Sequence, residues 1–126
     1  MPSLERIDTP NAPGAVGPYS QAIAVGDLIF TSGALPLNPA DKTMPADIKD
    51  AARQALTNLK AILEQAGSGM DKVVKATVFL VDINDFAAVN EVYATFFSQP
   101  YPARSCYAVA ALPMGAKVEI ELIATK

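Results

Sequence analysis

The stretch "KVVKATVFLVDINDFAAVNEVYATFF", residues 72–97, decides what kind of fold this chain can adopt. Its first part, "KVVKATVFLVD", is mostly apolar and rich in β-branched residues, the pattern of a strand covered on both faces. Then the period changes. Phe86, Val89, Tyr93, Phe96 and Phe97 fall on one helical stripe, with Asn84 or Asp85 placed to cap it. A strand followed by an amphipathic helix calls for a sheet with helices packed on it.

The flanking segments supply the rest of such a sheet. Upstream, Ile48, Ala52, Ala55, Leu56, Leu59, Ile62, Leu63 and Ala66 recur at three- and four-residue spacing. Asp47 stands where an N-cap would and Gly67 where a C-cap would, predicting a helix of about five turns. Before it, "YSQAIAVGDLIFTSG" gives two β-type runs, 19–25 and 28–32, folded as a hairpin across Gly26-Asp27. A short strand at 4–7 opens the chain, and the proline-rich segments 8–18 and 36–46 read as loops. Downstream, strands are expected at 105–112 and 117–125, joined as an antiparallel hairpin by the short turn "PMGA". The order is β-ββ-α-β-α-ββ: an α+β domain spanning residues 1–126, with a mixed sheet of five or six strands and two helices on one face. The helix-free face needs a cover as well, and the same sheet from neighbouring subunits is the expected one.

Composition agrees with this and removes several function classes. The charged fraction is 18%, below the roughly 25% usual for globular domains, which also favours self-association. Ten basic residues against thirteen acidic ones, with no Lys/Arg run, leave no electrostatic footprint for nucleic acid. The absence of histidine excludes a histidine general base, a histidine triad and histidine metal ligation. One cysteine cannot form an internal disulfide, and no apolar run approaches the ~18 residues of a membrane span. The N-terminal stretch "MPSLERIDTPNAP" has no apolar signal core, so a cytoplasmic location is the expectation.

What chemistry remains rests on few side chains. In "KVEIELIAT", residues 117–125, the strand period sends Val118, Ile120, Leu122 and Ala124 to one face, and Glu119 and Glu121 to the other. The two carboxylates are either solvated at a sheet edge or buried at an interface where they need partners. Arg104, in "YPARSCYAV" (101–109), opens a strand and offers a planar fork suited to a carboxylate or phosphate. Counting out from the expected turn puts it beyond Glu119, so the two would meet across an interface or through a ligand. Cys106 alone reads as a small buried hydrophobe, since only Arg104 lies near enough in sequence to activate a thiol. Tyr19, Ser32 and Gly33 stand at the ends of the first hairpin, Gly33 where a turn or a close approach of backbone to ligand would need it.

Together, "NAPGAVGPYSQA" (11–22), "LIFTSGALPLNP" (28–39), "VVKATVFLVDINDFAAVNEVYATFF" (73–97), "YPARSCYAVAALP" (101–113) and "VEIELIA" (118–124) resemble the reactive intermediate deaminases, also called the Rid or YjgF family. "PARSC" with the later "EIE" is similar to the pattern of its catalytically active branch. The resemblance implies a chorismate-mutase-like fold, a homotrimer with ligand clefts between subunits, no cofactor and no metal. It also implies hydrolysis of enamines and imines such as 2-aminoacrylate, 2-iminopropanoate and 2-iminobutanoate to 2-keto acids and ammonia. Carried over, Arg104 pairs with the substrate carboxylate and Glu119 positions or activates water. Cys106 contributes mainly through its backbone, Gly33 lies near the carboxylate, and Tyr19, Ser32 and Asn90 line the pocket. The chain departs from the family's "SGQIP" and "RSCVEVARLP" at Ala34, Tyr107, Ala108 and Ala111, and the segment between Phe97 and Pro102 is short. These departures point to side-chain preference or interface charge rather than to the Arg104 and Glu119 chemistry. Two other readings compete: a trimer that binds a small carboxylate without turnover, and an endoribonuclease or translation inhibitor, which the acidic, histidine-free composition opposes.

Overall fold

The computed structural model describes residues 3–126. Its regular elements are β1 (Glu5–Ile7), β2 (Ala22–Val25), β3 (Leu28–Thr31), α1 (Ile48–Gln65), β4 (Val73–Leu80), α2 (Phe86–Phe96), β5 (Ala103–Ala108) and β6 (Val118–Thr125), with short 3-10 turns at 70–72, 83–85 and 113–115. Six strands form one mixed sheet in the order β1-β2-β3-β6-β4-β5. Both helices pack on one face of it, as the two helical stripes require.

Period-two burial along β6 organises the core. Val118, Ile120, Leu122 and Ala124 are buried against α1, and β6 pairs antiparallel with β3 on one side and β4 on the other. Helix α1 buries Ala52, Ala55, Leu56, Leu59, Ile62 and Leu63, and its first turn is capped by the Asp47 carboxylate, which accepts from the Lys49 and Asp50 amides. The leucines are fully buried, so truncating one to alanine costs about 2–5 kcal/mol.

One expectation fails. The segments 105–112 and 117–125 do not form a hairpin: β5 runs parallel to β4, with Arg104 opposite Ala76 and Cys106 opposite Val78, while β6 inserts between β3 and β4. The cause is the crossover. Helix α2 joins β4 to β5, and a helical connection returns the chain in the same direction, which makes the pair parallel. The chain leaves β5 at Ala108 and uses residues 109–117 to carry it back over the sheet. Helix α2 begins at Phe86 behind a 3-10 turn, and it is Asp82 whose carboxylate takes the Asn84 amide; Asp85 stands at the N-cap with no side-chain bond. The helix-free face stays open within the protomer, with Phe30, Val74 and Tyr107 exposed.

Two buried amides tie loops to this frame. Gln21 accepts from the Thr9 amide and donates to the Thr9 and Pro13 carbonyls, so the proline-rich loop 8–18 hangs on β2's entry. Asn58, 1% exposed on α1, donates to the Leu35 and Leu37 carbonyls and accepts from Gln54. Replacing Asn58 by alanine removes the donor to two loop carbonyls. We expect Asn58→Ala to lower unfolding free energy by about 1–3 kcal/mol, seen as a lower urea midpoint at unchanged slope.

Candidate functional site

The residues singled out from the sequence fall into two groups. The first is built on the end of the sheet and α2. Arg104 and Cys106 share the face of β5 that continues the buried row Ala76–Leu122 and Val78–Ile120, so both look toward the helix layer. There the Arg104 guanidinium donates from Nη1 to Asn90 Oδ1 at 2.7 Å and lies over the rings of Tyr93 and Phe86, 4.8 and 5.4 Å from their centroids. Among the described residues no carboxylate forms an ion pair with it. A guanidinium held by ring faces and a neutral amide keeps its charge for an external anion. Cys106 packs against the core, and burial pushes its thiol pKa up more strongly than Arg104 pulls it down. A raised pKa disfavours the thiolate and therefore a nucleophilic role.

The second group surrounds a cavity of about 650 Å³. Tyr19, Ser32, Gly33 and Glu119 line it, with Gln21 and Asn58 from the loop anchors and Leu35, Leu37 and Ile62 as apolar wall. Ser32 donates its hydroxyl to the Ser20 carbonyl at 2.6 Å, which ties β3's exit to the segment carrying Tyr19. Tyr19 is half-exposed, and its hydroxyl accepts from the Val16 amide. Ala34 pairs with Ile120 through two backbone hydrogen bonds, which fixes Gly33 directly over Glu119. A Cβ at position 33 would stand 2.7 Å from Glu119 Cδ and 2.9 Å from Oε1. Glycine is required there by that close approach, not by a left-handed backbone.

Glu119 lies on the open face of β6, in the row Glu119–Phe79–Tyr107. Its pKa is raised, first by burial and then by the like charge of Glu121 two residues along the same face. The carboxylate thus titrates above the ordinary glutamate range. Among the described residues no group of three or more acidic or cysteine side chains converges as metal ligands, and no helix is long and apolar enough to cross a membrane.

Within one protomer the two groups do not meet. Arg104, Cys106 and Asn90 sit under the helix layer at the edge strand β5, whereas Glu119 projects from the opposite face of the sheet. Of the departures, Ala34 lines the cavity, Tyr107 stacks on Phe79 on the open face, and Ala108 and Ala111 are exposed. Phe86 and Tyr93 belong to the apolar stripe expected of α2; the signal that sets them apart is Asn90, a polar residue at i+4 between aromatics at i and i+7.

Comparison with known proteins follows the whole length of this architecture. A family model described as Endoribonuclease L-PSP matches residues 9–126. The chain is 50% identical over 123 residues to the 2-iminobutanoate/2-iminopropanoate deaminase of Escherichia coli K12, covering 95% of this chain and 96% of that protein. It is 58% identical over 121 residues to the RutC family protein y4sK of Sinorhizobium fredii, at 95% and 96% coverage. The crystal structure of E. coli TdcF with bound serine superposes with a TM-score of 0.93 at 46% identity, covering 97% of this chain and 98% of that one.

The contact between Gly33 and Glu119 is open to a direct test. In Gly33→Ala the Glu119 side chain must swing away, since its flexible end and not backbone meets the new methyl. We expect the fold to persist and the Glu119 pKa to fall toward the ordinary value as the carboxylate reaches water, followed by NMR titration of its side-chain carboxyl carbon.

Proposed function

This chain belongs to the Endoribonuclease L-PSP family, the Rid/YjgF group, and from that membership and the two half-sites we propose that it hydrolyses 2-imino acids to 2-keto acids and ammonia. The observation that carries the reading is Arg104, a partly buried guanidinium with no carboxylate partner among the described residues, held ready for an anionic substrate group. The identity to an E. coli protein named for deamination of 2-iminobutanoate and 2-iminopropanoate supports the substrate class, and the serine bound in TdcF supports a small carboxylate as the guest.

The chemistry asks little of the protein. Protonated C=N is electrophilic by itself, so the site has to hold the carboxylate, aim one water and move protons. In the proposed sequence Arg104 binds the substrate carboxylate and Glu119, as carboxylate, takes a proton from the water whose oxygen bonds to C2. The C=N pair becomes an amine in the resulting tetrahedral adduct. Glu119 then returns the proton to nitrogen, the C–N bond breaks toward ammonia, and the hydroxyl passes its proton to the Glu119 carboxylate, which releases it to solvent, as the keto C=O forms. Cys106 contributes through its backbone on an edge strand, where alternate amides face away from β4. Tyr19, Ser32, Gly33 and Asn90 complete the pocket.

Because one protomer keeps Arg104 and Glu119 on opposite sides of its sheet, the cleft is proposed to form between copies of the chain, in a homotrimer whose open sheet faces cover one another. The exposed apolar side chains of that face support this.

The test is ammonia and keto-acid release from 2-iminobutanoate generated in place by a threonine dehydratase. Arg104→Ala and Glu119→Gln should each fold and lose the acceleration. Co-refolded in equal amounts, the two inactive chains should recover roughly a quarter of the wild-type rate, since one interfacial site in four then draws both residues from intact positions. No recovery would place the site inside one protomer; no acceleration by folded wild type would leave a carboxylate binder without turnover.

The pH profile carries a sign. Glu119 is needed ionised, and its pKa is raised, so the rate should fall on acidification with a midpoint above the ordinary glutamate value, a limb absent from the residual rate of Glu119→Gln. Stability moves the other way. A carboxyl with a raised folded pKa binds more protons in the folded state, so stability falls as pH rises from the unfolded to the folded pKa. Glu119→Gln should therefore exceed wild type in thermal midpoint near neutrality, and the difference should vanish below that window.

A further inference from the structure

Three side chains on successive turns of α2 converge on the Arg104 guanidinium. Phe86 and Tyr93 face it with their rings, and Asn90 between them accepts from Nη1. Tyr93 is 6% exposed and also packs against Phe97, ring centroids 4.5 Å apart and planes tilted by 39°, which restricts the ring. Its hydroxyl is buried without a hydrogen-bond partner among the described residues. A buried, unpaired hydroxyl is unfavourable. The contact this side chain makes with Arg104 is through the ring face.

We propose that Phe86, Asn90 and Tyr93 form a positioning clamp for Arg104, and that the two ring faces set the affinity of the site for a substrate carboxylate. The inference rests on the reading of Arg104 as the carboxylate-binding residue. The clamp acts in two ways. It fixes the plane of a side chain that would otherwise sample many rotamers, so less freedom is lost when a carboxylate docks. It also holds the cation without neutralising it, as an aspartate or glutamate in place of Asn90 would do. Phe86 and Tyr93 are positioning residues that touch Arg104 and act on turnover through it, while Asn90 both holds Nη1 and belongs to the proposed pocket.

The experiment measures 2-oxobutanoate binding by calorimetry and imine hydrolysis in parallel, for wild type, Phe86→Leu, Tyr93→Leu and Tyr93→Phe. Loss of one ring face should weaken binding and raise KM by about threefold to tenfold with kcat within about twofold, because Arg104 and Glu119 are intact. Tyr93→Phe should keep wild-type affinity and gain thermal stability, because it keeps the ring and removes the stranded hydroxyl. Without any ligand, the Arg104 Nε–H resonance should lose its ring-current shift in each leucine variant. Unchanged affinity and unchanged resonance in folded leucine variants would overturn the clamp. Phe86, 38% exposed, keeps the test valid if Tyr93→Leu does not fold. A wild type that binds 2-oxobutanoate but hydrolyses no imine would end the deaminase reading and leave the clamp to the binding constants and the resonance.

Discussion

Everything in this protein hangs on the alternation of β6. Val118, Ile120, Leu122 and Ala124 fill the space beneath α1, and the strand is paired along both edges, so its register cannot slip by one residue without turning the core outward. That same alternation leaves Glu119 and Glu121 on the opposite face, where burial and mutual repulsion hold the Glu119 proton more tightly than water would. The acid of the candidate site is thus a by-product of the packing that makes the sheet: no separate loop is needed to present it. The Ala34 to Ile120 bridge then brings a residue without a side chain onto the carboxylate, and the loop that does so is itself tied to α1 by the buried Asn58 amide.

The arginine obeys a different logic. It stands on an edge strand, where one side of the backbone is unpaired, and faces a helix that could have supplied a carboxylate but supplies two rings and an amide. An internal ion pair would have given Arg104 a partner and made it useless as a receptor. Ring faces stabilise a guanidinium by about 0.5–2 kcal/mol while leaving its net charge in place. The result is a cation that is structurally satisfied and electrostatically available, the combination a carboxylate-binding site needs.

Much of this was legible in the sequence, and the exceptions share a cause. Helix α1 follows from its three- and four-residue apolar spacing and the Asp47 cap, and the first hairpin from Gly26-Asp27, because both signals are local. The core and open faces of β6 follow from period two for the same reason. The partner of β5 does not. "PMGA" looks like a hairpin turn, but strand pairing is decided by the crossover through α2, a relation between segments more than twenty residues apart. Phe86 and Tyr93 fell into a core stripe because periodicity reports burial and says nothing of a cation on the far side of the ring. The 2.7 Å approach of position 33 to Glu119 is likewise a contact between distant segments, invisible to any pattern along the chain.

The separation of the two half-sites has a consequence for how such an enzyme can vary. Arg104 on β5 against α2 and Glu119 on β6 beside the cavity wall lie on opposite faces of the sheet within the protomer. Ala34 and Leu35 can change the wall that meets a side chain while Arg104 keeps its clamp. Tyr107, stacked on Phe79 in the row that contains Glu119, stands on the face where copies of the chain are proposed to meet. In that proposed assembly a bulky ring there would alter how two sheets approach each other, and with it the distance between one protomer's arginine and another's glutamate. In the proposed two-chain cleft, interface packing and substrate preference become one variable, and the departures at Ala34 and Tyr107 would reach it by different routes: one by lining the cavity, the other by setting the spacing of its two halves.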